Sequence, residues 1–173
     1  MPKLTLQQLE AHLWSAANVL RGRTAGQDYK TYILSLMFFK RLSDQWDNEP
    51  EERVAQLEKD RGKPFSPKQR ETMLADPGVH RFVIPDGCHW ADVIGAEKDH
   101  GAVLTRAMRA IGDANKELKG VFTVDWNLPA PDGSGAKLIP NEVVVELLYR
   151  FNRVQLSNAN APASSANCLM RYS

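Results

Sequence analysis

Cysteine is scarce in this sequence of 173 residues: only Cys88 and Cys168 occur, far apart and with no Cys-x-x-Cys spacing. That excludes a disulfide framework and the common zinc and redox motifs, and leaves free thiols in a reducing compartment. Long apolar runs are also missing. The opening Met1-Pro2-Lys3-Leu4-Thr5 leads into an amphipathic pattern, so neither a signal peptide nor a membrane span is expected. No charge sign dominates, because 22 Lys and Arg stand against 21 Asp and Glu for a formal net charge of +1. Any contact with nucleic acid must therefore come from a local patch, and a cytoplasmic location is expected.

Chemistry-bearing motifs are equally sparse. There is no GxGxxG, GxxxxGK[ST], HExxH or GxSxG, and the glycines of Asp132-Gly133-Ser134-Gly135 follow a proline loop rather than a strand, so they read as linker. His12, His80, His89 and His100 do not fall at metal-ligand spacing, and adjacent Cys88 and His89 cannot by themselves aim two ligands at one ion. They read as ordinary histidines. Trp14, Trp46, Trp90 and Trp126 each lie in apolar neighbourhoods, where core packing is the commoner use, with base stacking as the alternative. Catalytic, cofactor-binding and metal residues are accordingly assigned to none.

What is present is a 43% hydrophobic, 25% charged chain of one-domain length with strong helical periodicity. Leu6, Leu9, Leu13, Ala16, Ala17 and Leu20 recur at three-and-four spacing behind a capping Thr5, predicting a first helix to about Leu20. A polar, glycine-containing stretch from Arg21 to Gln27 ends it. A second, central helix is expected from Asp28 to about Trp46 on Tyr29, Tyr32, Ile33, Leu36, Met37, Phe39 and Leu42. Residues 50–75 turn charged and read as a peripheral helical excursion broken by Pro64 and Pro67. Further helices are expected from Val103 to Leu118 and from Pro140 or Asn141 to about Phe151. The short runs Arg81–Pro85 and Gly120–Val124 are β-branched and aromatic, predicting a small two-stranded pairing. The fold class is thus mainly α, a helical bundle-like domain over 1–156 with a two-stranded β element, followed by an irregular, disordered tail over 157–173.

Basic side chains carry the remaining functional signal. Arg21, Arg23 and Lys30 bracket the first interhelical loop beside a helix N-terminus, an arrangement able to hold a phosphate, although a solvated basic loop explains them equally well. Lys40 and Arg41 near the expected end of the second helix have a plain alternative in the helix dipole.

Read as strings, Leu9-Glu10-Ala11-His12-Leu13-Trp14-Ser15-Ala16-Ala17 and Tyr29-Lys30-Thr31-Tyr32-Ile33-Leu34-Ser35-Leu36-Met37-Phe38-Phe39-Lys40-Arg41-Leu42-Ser43-Asp44 resemble the opening of the modification subunits of type I restriction-modification systems. Blocks around Phe82–Pro85 with Trp90, Leu104–Phe122, and Phe151–Arg153 with Leu156-Ser157-Asn158 agree in order. In that family this region is a helical N-terminal domain ahead of a methyltransferase domain that uses S-adenosylmethionine to methylate adenine at N6. The resemblance implies a non-catalytic domain that helps clamp double-stranded DNA and dock the specificity subunit, with a restriction subunit as further partner. It implies no cofactor in this chain and no activity for it alone. DNA-facing roles are carried over to Arg21, Arg23, Lys30, Lys40 and Arg41.

The family's cofactor motif and its Asn-Pro-Pro-[FY] motif are missing, and Ala161–Ser173 is unlike the family, so a frameshift, premature stop or other truncation is expected. Loss of a neighbouring domain is expected to expose Val144, Leu147, Leu148 and Phe151 on the last helix, an interface that a homodimer would cover. The alternatives are a stand-alone interaction or regulatory module, a non-functional remnant, and a cryptic enzyme whose clustered titratable groups nothing in the sequence indicates.

Overall fold

A computed structural model of the chain describes residues 4–23 and 28–157; of the tail expected over 157–173 only Ser157 is among them, and it is buried, while 158–173 lie outside them. Among the described residues the elements are six α-helices and two short 3-10 turns: α1 (Leu6–Leu20), α2 (Asp28–Arg61), α3 (Pro67–Leu74), α4 (Trp90–Ile94), α5 (His100–Ala114) and α6 (Asn141–Asn152), with the turns at Pro77–Val79 and Lys116–Leu118.

The first helix starts where its cap dictates. The Gln8 N–H donates to Thr5 Oγ1 at 3.2 Å and the Thr5 N–H donates to Gln8 Oε1 at 2.9 Å, satisfying two orphan donors reciprocally. Leu9, Ala16 and Leu20 then face α2 and α6. The amino-terminal half of α2 supplies the centre of the core through Tyr32, Ile33, Leu36, Met37, Phe39 and Leu42. Leu104, Ala107, Met108 and Ile111 of α5 and the apolar face of α6 close over it.

Helix α2 runs on to Arg61 rather than ending near Trp46, with Pro50 inside it. Proline lacks the N–H that would reach the Trp46 carbonyl, a loss of about 3 kcal/mol in an unsupported helix interior. Local ties offset it. Asn48 Nδ2 donates to the Asp44 carbonyl at 2.6 Å, and Gln45 Nε2 reaches across the proline to Glu52 Oε2 at 3.0 Å. Val54 is fully buried, and Arg70 of α3 pairs with both Glu51 and Glu58. The charged excursion is therefore a helical hairpin continuous with the central helix.

No strand forms among the described residues; the one β contact is an isolated Pro129–Lys137 bridge. The expected two-stranded pairing is replaced by side-chain hydrogen bonds to backbone. Asn115 Oδ1 accepts the Val83 N–H and Asn115 Nδ2 donates to the Val83 carbonyl, both at 2.8 Å, so the backbone at 83 is satisfied by an amide that imitates a strand. In the second run Phe122 and Val124 are buried while the Val121 N–H closes a turn onto the Leu118 carbonyl. The alternation is real, but its purpose is core packing.

Close approach fixes one more join. A Cβ on Gly101 would lie 2.6 Å from the Trp126 carbonyl oxygen, so only glycine lets α5 meet that turn. Thr105 Oγ1 accepts the Trp126 N–H at 2.9 Å, and the Trp126 ring stands edge-on to Tyr32 at 4.9 Å.

Candidate nucleic-acid and docking surface

The cationic corner begins where α1 stops. Leu20 is fully buried, Arg21 caps the helix by donating its N–H to the Ala17 carbonyl at 3.0 Å, and Gly22 takes φ +83°, a left-handed turn that glycine adopts without strain. Arg21, Arg23 and, in the first turn of α2, Lys30 are all exposed. No ion pair engages any of the three among the described residues. Trp14, expected in the core, is instead 60% exposed, and the Arg21 guanidinium lies 5.9 Å from its ring centroid. This is a cation–π distance, worth about 0.5–1 kcal/mol at an exposed site. Asp28 in the first turn of α2 complements the helix dipole and at the same time limits how much net positive charge the corner presents.

Lys40 and Arg41 belong to a different environment. Lys40 is 3% exposed; its Nζ lies 2.5 Å from both carboxylate oxygens of Asp44, donates to the Val154 carbonyl at 2.8 Å, and sits 5.5 Å from the Trp90 ring centroid. The same carboxylate accepts the Leu156 N–H at 2.8 Å, and half-buried Arg41 donates to the Leu156 carbonyl at 2.5 Å. Burial pushes the Asp44 carboxyl up, opposed by the hydrogen bonds from Lys40 and Leu156 and by the charges of Lys40 and Arg41. Burial likewise pulls Arg41 down, opposed by Asp44 and Glu52. A DNA-facing role for Lys40 is thereby corrected, because its ammonium has no open path to a phosphate. The dipole explanation fails too, since both residues sit mid-helix in a helix that ends at Arg61.

The apolar face of α6 is closed as well. Val144, Leu147, Leu148 and Phe151 are fully buried against α1, α2, α4 and α5, and Phe151 meets His12 edge-on at 5.1 Å. The expected open patch, and the homodimer through it, are corrected by this packing. On the outer side of α6, Arg150 pairs with Glu146 at 2.7 Å and donates to Ser15 Oγ at 2.6 Å, tying α6 to α1.

Histidines and tryptophans otherwise serve packing. Trp90 donates from Nε1 to Asn152 Oδ1 at 2.9 Å, and Trp126 is buried. His80 stacks on half-buried Trp46 with centroids 3.7 Å apart, its Nδ1 3.1 Å from Glu49 Oε2. Among the described residues no cluster of three His, Cys, Asp or Glu side chains is arranged for a metal. Cys88 is a buried free thiol, and burial pushes its pKa up, away from thiolate chemistry. The glycine turn at 132–136 is an exposed Asx-type turn in which Asp132 Oδ1 accepts the Ser134 N–H at 3.0 Å. No helix among the described residues is long and apolar enough to cross a membrane.

This helical architecture has a counterpart among solved structures. The type I restriction-modification system methyltransferase subunit from Streptococcus thermophilus superposes with a TM-score of 0.55 at 18% identity, over 90% of this chain and 36% of that one. The chain thus spans about a third of the length of that protein and shares its fold there. No curated protein matches the sequence. A family model described as HsdM N-terminal domain matches residues 9–151, so the chain belongs to the HsdM N-terminal domain family, as its opening strings indicated.

Proposed function

We propose that this chain is a non-catalytic domain of a type I restriction-modification methyltransferase assembly that helps clamp double-stranded DNA and docks the specificity subunit. The observation that carries the reading is the α1–α2 junction, where Arg21 and Arg23 at the end of α1 and Lys30 in the first turn of α2 are exposed and Arg21 lies over the exposed Trp14 ring, in a chain of this family. Such a corner suits backbone phosphates, which supply affinity without sequence information. The DNA target would be read by the specificity subunit, and a restriction subunit would complete the cytoplasmic assembly. S-adenosylmethionine belongs in this reading to the methyltransferase domain of the family, and none is assigned to the present chain.

Trp14 favours a second reading, a protein-interaction module. Tryptophan and arginine are the residue types most enriched at binding hot spots, and a chain of net charge +1 gains little from long-range attraction to DNA. The two readings separate in one experiment. The purified chain is mixed with the cognate specificity subunit, the complex is isolated, and DNA binding is measured at two salt concentrations, with S-adenosylmethionine titration as control. Joint capture with salt-sensitive DNA binding supports the clamp; capture without added DNA affinity supports the interaction module; binding neither partner nor DNA contradicts both.

A further inference from the structure

We propose that Lys40, Arg41 and Asp44 form a latch that holds the segment 154–157 against α2 and so sets the direction in which the chain leaves α6. After the turn in which the Val154 N–H donates to the Phe151 carbonyl, the backbone enters no further helix among the described residues. Buried peptide groups without a helix or sheet need partners from elsewhere. Here the three side chains of α2 provide them: Lys40 donates to the Val154 carbonyl, Arg41 to the Leu156 carbonyl, and Asp44 accepts the Leu156 N–H. Leu156 and Ser157 are buried at the end of this grip.

A buried Lys–Asp pair is a poor choice for stability alone, because desolvation of two charges consumes most of what their attraction returns, and apolar replacements of similar volume commonly do as well. What the pair supplies that methionine or leucine cannot is directional hydrogen bonding to a particular stretch of backbone. Lys30 and Arg41 are carried by the same rigid helix, roughly 16 Å apart at 1.5 Å per residue. The latch would therefore fix the outgoing chain relative to the cationic corner. That last consequence rests on the function proposed above; the latch itself does not.

The test is single-amide hydrogen exchange on the 173-residue chain, wild type against K40M/D44M, a double change that removes both charges together. The expected result is that Leu156 amide protection falls by about tenfold or more beyond any loss at the Leu147 and Leu148 amides in α6. Unchanged protection at Leu156, or equal loss at Leu156 and α6, overturns the proposal. Should the double variant fail to fold, the wild type decides through its exchange in low guanidinium. Exchange of Leu156 that rises in step with the α6 amides shows a segment held until global unfolding and supports the latch; denaturant-independent exchange, far less protected than α6, shows a segment that detaches freely and overturns it. Neither outcome depends on DNA or on a partner subunit.

Discussion

Arg21, Arg23 and Lys30 on one side, Lys40 and Arg41 on the other, are the same residue types within two dozen positions, yet their environments are opposite. The first three stand in solvent around a helix junction, while Lys40 is sealed under Trp90 and Arg41 is half-buried against Leu156. Helical phase makes the difference. Lys40 follows Ile33, Leu36 and Met37 at spacings of seven, four and three, placing it in the middle of the buried face, with Asp44 one turn further on. A cation counts as a candidate for nucleic acid only when its phase points outward.

Breaking the buried side of that comparison has the largest effect. Asp44→Ala leaves the Lys40 ammonium buried and unpaired and is expected to cost about 3–5 kcal/mol, read as a lower urea midpoint, whereas K40M/D44M, which leaves no buried charge but strips the Val154 carbonyl and the Leu156 N–H of their partners, is expected to cost less, about 1–3 kcal/mol. Similar destabilisation of the single and double variants would contradict the pairing. Phe151→Ala should cost about 3–5 kcal/mol by the same measurement, because α6 packs inward; a decrease near 0.5 kcal/mol would mean that its face is open after all. Asn115→Ala, which strips both partners from the Val83 backbone, is expected to cost about 1–3 kcal/mol.

A smaller effect follows from His12. Burial, then the charges of Arg150 and Arg153, hold its imidazole below the ordinary 6.5. The unfolded chain therefore takes up this proton first as the pH falls. The His12 contribution is intact above pH 6.5 and is lost progressively below it, down to the folded value, because stability falls wherever the unfolded state binds more protons. His12→Gln should flatten the decline in urea midpoint between about pH 7.5 and 5.5; an unchanged slope assigns the decline to other groups. Smallest in stability is R21Q/R23Q/K30Q, expected within about 0.5 kcal/mol of wild type because these side chains touch little.

Helices whose apolar positions recur without interruption were legible as sequence: α1 behind Thr5, the front of α2, and α6 from Asn141. The back of α2 was not, because Pro50 and a charged composition argue against continuity, and only tertiary ties between Glu51, Glu58 and Arg70 sustain it. The runs at 81–85 and 120–124 alternate as strands do, yet at Val83 a single asparagine from the end of α5 supplies the hydrogen bonds a neighbouring strand would have made. At the surface, the turn chemistry around Gly22 disclosed Arg21 and Arg23. Trp14 was hidden, since an apolar neighbourhood in sequence does not say which side of an amphipathic helix a tryptophan occupies.

The most direct test of the clamp account is the salt dependence of DNA binding by the complex of this chain with its specificity subunit, compared with the same complex carrying R21Q/R23Q/K30Q. The account predicts that the variant complex assembles normally, binds DNA more weakly, and shows a log–log salt slope shallower by about 0.9 for each phosphate that is no longer neutralised. An unchanged slope and affinity in an intact complex would contradict it, removing DNA from the corner and leaving the surface around Trp14 to a protein partner.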